Sequence, residues 1–183
     1  MSTTLSTSEI GAARPRDEII KEAKRIEEST LLSSKAHFAA SHRWGLCHLI
    51  VGVIVSVLSA VAAAFTFSSM WPEAVGTLAL IVTILSTVST FLNPNDRAAK
   101  HLASGNGYDS VSNRARIFGT IDCWADGVDA RDLADRLKRL SDEKSKLNAE
   151  SLQVSPWASR KAKRGVAAGE GAYAVDKPQL PSA

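Results

Sequence analysis

Charge is missing from two long stretches of this chain. From Trp44 to Pro72 and from Ala74 to Asn95 there is no Asp, Glu, Lys or Arg, and Glu73 alone stands between them. Cysteine is almost missing too: Cys47 and Cys123 are the only two, too few for a disulfide framework or a tetrathiolate zinc site. The motifs that carry common chemistries are also absent, with no phosphate loop, no Gly-x-Ser-x-Gly elbow and no His-Glu-x-x-His. His37, His42 and His48 recur at steps of five and six residues, which do not share a helix face as a metal pair would. No enzymatic activity, no metal site and no cofactor is expected.

What is present is apolar length. Each uncharged run exceeds the roughly 20 residues with which a helix crosses the hydrocarbon core of a bilayer. The expected fold is therefore an all-α membrane protein, a two-helix transmembrane hairpin with amphipathic cytoplasmic helices before and after it. The linker Ser68-Ser69-Met70-Trp71-Pro72-Glu73 is too short to hold a domain, so both termini are expected on one side. The mean hydropathy of -0.03 averages this apolar middle with strongly charged arms and hides both.

Charge outside the runs orients the hairpin. Lys35 and Arg43 precede the first span, Arg97 and Lys100 follow the second, and the intervening loop carries only Glu73. The positive-inside rule then places both arms in the cytoplasm. Trp44 and Trp71 bracket the first span as interfacial anchors, with Arg43 and Arg97 at the inner edge. In a soluble domain a net charge of +3 would suggest nucleic acid; beside two apolar runs it suggests lipid, and no nucleic-acid partner is expected. A secretory signal is not expected, because the first apolar run follows a long charged arm.

The arms divide the rest of the chain. Residues 1–14 lack periodicity and are expected to be disordered, with a helix starting at Pro15 and its acids Asp17 and Glu18. Residues 15–43 follow as an amphipathic cytoplasmic helix that nothing separates from the first span at 44–70. The second span covers 74–95 and ends near Asn93-Pro94. Within 96–150, a short helix from Asp96 to Ala103 is expected to stop at a turn, Ser104-Gly105-Asn106-Gly107, before a long, bent helix from Asp109 to Leu147. Residues 151–183 hold several glycines and prolines and read as a mostly flexible tail with at most a short helix near Trp157 to Ala168. The basic knot Arg160, Lys161, Lys163 and Arg164 reads there as a solvated surface, the alternative being weak attraction to anionic lipid. Truncation after Asn148 is expected to leave assembly unchanged.

Two stripes mark the spans. Gly52, Ser56, Ala60 and Ala64 fall at four-residue steps, a column of small side chains that lets another helix approach closely; packing within the hairpin is its expected use. Thr83, Ser86, Thr87 and Thr90 recur at three- and four-residue steps, and Asn93 and Arg97 extend the stripe inward. Such hydroxyls can bond their own backbone one turn back, or they can line water. A hairpin encloses nothing by itself, so a pore would need several subunits.

With the hairpin placed, the region from Ile19 to Pro156 resembles the SLATT family of bacterial two-transmembrane effectors. The likeness rests on His37-Phe38, on His42-Arg43-Trp44, on the paired spans and their exit Phe91-Leu92-Asn93-Pro94, on His101, Gly105 and Tyr108, and on Leu147-Asn148 and Ser155-Pro156. The resemblance implies a homo-oligomeric, pore-forming effector of an antiphage or conflict system in the bacterial cytoplasmic (inner) membrane. It would cause cell suicide when a separate nucleotide-generating or nucleotide-sensing partner triggers it. The rivals are a non-conducting membrane anchor or scaffold for a cytoplasmic partner, and a holin-like protein.

Overall fold

The computed structural model describes residues 7–68 and 71–173, with side chains from residue 15 onward. Ser69 and Met70 of the predicted linker, the first six residues of the predicted disordered N-terminus and the tail beyond Tyr173 lie outside the described residues. All regular structure among the described residues is helical: α1 Thr7–Phe67, α2 Pro72–Leu92, α3 Pro94–Thr120, α4 Ala130–Glu150 and α5 Pro156–Ala167, with a 3-10 turn at Asp122–Trp124. The chain forms two compact units, one made of residues 1–39 and 103–183, the other of residues 40–102.

α1 begins ahead of Pro15, which lies inside the helix and does not start it. As the ninth residue of α1, Pro15 lacks the N–H that would bond one turn back, so the helix forgoes one internal hydrogen bond there. Beyond it nothing interrupts the helix from the charged arm into the first apolar run as far as Phe67, three residues short of the predicted 70.

The first unit is built on three helical segments and a fourth short one. Ala23 and Ile26 of α1 meet Val111, Ala115 and Phe118 of α3, together with Cys123, Leu133 and Leu140. The long helix predicted from Asp109 to Leu147 is split: Val111, Ala115 and Phe118 face inward and so do Leu133 and Leu140, but Ile121 is exposed because the helix breaks after Thr120. Arg16 bonds the carbonyl of Val128 at 3.0 Å and ties this break to α1.

The predicted turn at Ser104-Gly105-Asn106-Gly107 is not a turn. α3 runs straight through it, and the two glycines serve packing. A Cβ on Gly105 would lie 2.7 Å from the Phe38 ring, and one on Gly107 would lie 2.8 Å from Leu147. Glycine lowers helix stability by up to about 1 kcal/mol relative to alanine, and here it admits two large side chains against the α3 backbone.

The tail is likewise more ordered than its composition predicts. Ser155 caps α5, accepting a hydrogen bond from the Ala158 N–H, and Pro156 occupies the first turn. Ala158 and Ala162 are buried, so α5 is seated on the unit and does not trail from it. Truncation after Asn148 would uncover the surface they cover.

The second unit contains the apolar half of α1, all of α2 and the start of α3. Half-buried positions recur at Val51, Val55, Leu58, Ala62 and Phe65 in α1 and at Val75, Leu78, Val82, Leu85 and Ser89 in α2. This three-four spacing is that of helices sharing one seam. α2 stops at Leu92, earlier than the predicted 95, because Asn93 adopts a left-handed conformation (φ 41°) and Pro94 follows. Asparagine tolerates that conformation better than most residues.

Candidate functional site

α1 and α2 are long and apolar enough to cross a membrane, and their most apolar windows contain no buried residue. The surface is correspondingly greasy: Leu49 is 61 % exposed, Leu80 62 % and Phe91 85 %. A contiguous apolar surface of this extent marks contact with lipid or another protein. Ile81 and Val88 are exposed as well.

The polar stripe of α2 lies on this outer surface. Thr83, Ser86, Thr87 and Thr90 are all exposed and occupy roughly 100° of arc, about a third of a turn from the seam. Thr83 donates to the Ala79 carbonyl at 2.8 Å, Thr87 to Thr83 at 2.8 Å and Thr90 to Ser86 at 2.9 Å. Each hydroxyl proton is thus engaged one turn back, while the oxygen remains able to accept from outside.

The small-residue column lies elsewhere. Gly52, Ser56, Ala60 and Ala64 are exposed, centred roughly 160° around α1 from its half-buried positions. The half-buried positions of α1 in this unit include Val51, Val55, Leu58, Ala62 and Phe65, and the column faces away from them. No atom lies within 4 Å of a Cβ built on Gly52.

At the charged end of this unit, two of the predicted anchors, Trp44 and Arg97, meet around the α2–α3 junction. The Arg97 guanidinium sits 5.2 Å from the centroid of the Trp44 ring, and its Nε donates to the Leu92 carbonyl at 2.9 Å. The Asn93 side chain accepts from the Asp96 N–H at 3.4 Å, and Lys100 pairs with Asp96 at 2.8 Å. Ser41 donates to the Ala98 carbonyl at 2.9 Å, joining α1 to α3. Arg43 is exposed. His101 is buried, and that burial, with Arg97 as the lesser cause, holds its imidazole below the ordinary histidine range. At the opposite end Trp71 is exposed, in a left-handed conformation (φ 52°), with its ring 6.4 Å from that of Phe65.

The first unit carries features that spacing alone does not disclose. His37 stacks on Tyr108 at 5.3 Å, and the Tyr108 hydroxyl lies 2.8 Å from the Asn148 side-chain oxygen. They border an open cleft of about 420 Å³ whose other walls include Ala36, Leu152 and Lys163. These contacts join positions too distant in sequence to be read as a set. His37 is buried while His42 and His48 are exposed. Among the described residues no three His, Cys, Asp or Glu side chains come together as metal ligands. Comparison with family models, curated proteins and solved structures gives no match.

Proposed function

We propose that this chain is a two-span protein of the bacterial cytoplasmic membrane whose subunits assemble into a pore. In this reading α1 and α2 form a transmembrane hairpin with both termini in the cytoplasm, and α2 lines the conducting path through Thr83, Ser86, Thr87, Thr90 and Asn93. The observation that carries it is the exposed hydroxyl face of α2 within an otherwise apolar, unburied pair of helices. A hydroxyl face gains little from lipid tails, whereas neighbouring copies could turn several such faces toward a common axis. The outward column Gly52, Ser56, Ala60 and Ala64 supports assembly, because it offers a neighbouring subunit a close helix approach while the seam uses other residues. Basic residues at the Arg43 and Arg97 ends support the orientation.

The role follows from the resemblance: a conflict-system effector that depolarises the cell when a separate nucleotide-generating or nucleotide-sensing partner engages the first unit. A second reading, a non-conducting anchor that recruits a cytoplasmic partner, is favoured by the back-bonded hydroxyls of Thr83, Thr87 and Thr90. A membrane-potential dye in bacteria expressing the chain separates the two. The pore depolarises the cells, and the double variant Thr83→Leu, Thr87→Leu reaches the membrane at equal level without doing so; an anchor gives the same potential in both strains.

A further inference from the structure

The basic knot that reads in sequence as solvated tail is carried by a seated helix with two distinct faces. In α5, Ala158 and Ala162 are buried, and Arg160, Lys161, Lys163 and Arg164 are all exposed. At 100° per residue the four cations span roughly 160° of arc centred opposite the two alanines. Trp157 falls within the same outward arc, half-buried, with the Lys161 ammonium 5.4 Å from its ring centroid. The helix contains four basic residues and no acid. The Glu170 carboxylate lies over Gly165, and among the described residues none of the four cations takes part in an ion pair.

Elsewhere in the first unit acids are interspersed with the cations, and several pair. Lys21 pairs with Glu18, Arg25 with Glu22, Arg114 with Glu143 and Arg136 with Asp122. α5 gathers four cations with no acid among them, and it does so beside an indole. Tryptophan and clustered Lys or Arg on one helix face suit the headgroup layer of a bilayer, where the ring sits at the interface and the cations meet phosphates.

We infer that the outward face of α5 binds the phosphate headgroups of anionic lipid. The partner class follows from charge and from the indole, and from the two membrane-length apolar helices in the same chain. A nucleic acid would satisfy the charge but is not selected by the rest of the chain. The inference rests on the membrane reading of α1 and α2, but not on conduction. Headgroup contact would couple the first unit to the charge of the leaflet, so that assembly or opening responds to lipid composition.

Lysine acetylation footprinting of the full chain in nanodiscs tests it, because Lys161 and Lys163 report directly on α5. Discs of phosphatidylcholine alone are compared with discs that also contain phosphatidylglycerol, and entry of the chain into discs is scored separately by co-elution with the scaffold protein. In phosphatidylglycerol discs, acetylation of Lys161 and Lys163 slows about tenfold or more while that of the exposed Lys138 does not change, as expected for several cations each held by surface charge. High salt reverses the protection, and so does the double variant Arg160→Gln, Arg164→Gln, which leaves both reporter lysines and the buried alanines intact. Equal acetylation in the two kinds of disc overturns the inference. Protection that extends equally to Lys138 overturns it as well. Protection by an added oligonucleotide in neutral discs, with none from phosphatidylglycerol, assigns the face to nucleic acid instead. Failure to enter discs refutes the membrane reading itself.

Discussion

Arg97 and Trp44 form one contact from two ends of the apolar unit: the guanidinium lies 5.2 Å from the indole centroid while its Nε is bonded to the Leu92 carbonyl. The arginine thereby donates to one of the orphan carbonyls at the end of α2 and holds the start of α3 beside α1. Arg97→Ala is expected to destabilise the detergent-solubilised protein by about 1–3 kcal/mol, and Trp44→Ala by a smaller amount. A double-mutant cycle by thermal unfolding checks the pairing, with an expected coupling of about 0.5–1 kcal/mol.

Two glycines in helices should respond in opposite ways to alanine. Gly105→Ala drives a Cβ to 2.7 Å from Phe38, so a loss of about 1–3 kcal/mol is expected in unfolding experiments. Gly52→Ala meets nothing within 4 Å and should be neutral or stabilising for the isolated subunit by up to about 1 kcal/mol. Gly52→Leu should leave the subunit folded yet reduce oligomer recovered by cross-linking, because the column loses its close approach.

Acidification acts on the two units with opposite sign. Burial, with Arg97 as the lesser cause, depresses the His101 pKa below its ordinary 6.5, so the unfolded chain takes up this proton first. The stability it sustains is complete well above 6.5, begins to fall as the pH drops past that value and is lost once the folded imidazole also titrates. Glu27 is shifted the other way: burial raises its carboxyl above the ordinary 4.5, against the opposing attraction of Arg116. The folded state therefore protonates first there, and that carboxyl favours folding progressively more as the pH falls through its raised value. Melting of the detergent-solubilised protein between neutral and mildly acidic pH should show a loss that His101→Gln flattens, and Glu27→Gln should remove an acid-side gain.

Seating of α5 predicts that its alanines matter more than a flexible tail allows. Ala158→Asp or Ala162→Asp places a charge where the native side chain is buried. Proteolysis within 151–168 should accelerate at least tenfold, while the surface change Lys161→Gln at the exposed position should not alter it.

The residues that declared themselves in sequence are those whose physics is one-dimensional. A run without charge is visible as letters, and so is the continuity of α1, because nothing between Pro15 and Phe67 breaks a helix. The stop at Asn93-Pro94 was legible for the same reason. The face used by each helix was not: Gly52, Ser56, Ala60 and Ala64 and Val51, Val55, Leu58 and Ala62 both satisfy helical spacing, and only the second set is half-buried. Gly105 and Gly107 resemble a turn because glycine has two uses, and choosing between them requires knowing that Phe38 and Leu147 arrive there. α5 was obscured because alanines supply its buried face, too small to stand out among glycines, prolines and charges. The contacts of His37 with Tyr108, and of Tyr108 with Asn148, join positions far apart in sequence, so no local pattern announces them.

The most direct test of a pore lined by α2 is single-channel recording in planar bilayers from purified protein, wild type beside Thr83→Leu, Thr87→Leu. The account predicts discrete conductance steps from wild type and markedly reduced conductance from a double variant that cross-links to the same oligomer. Identical conductance from both proteins would contradict it.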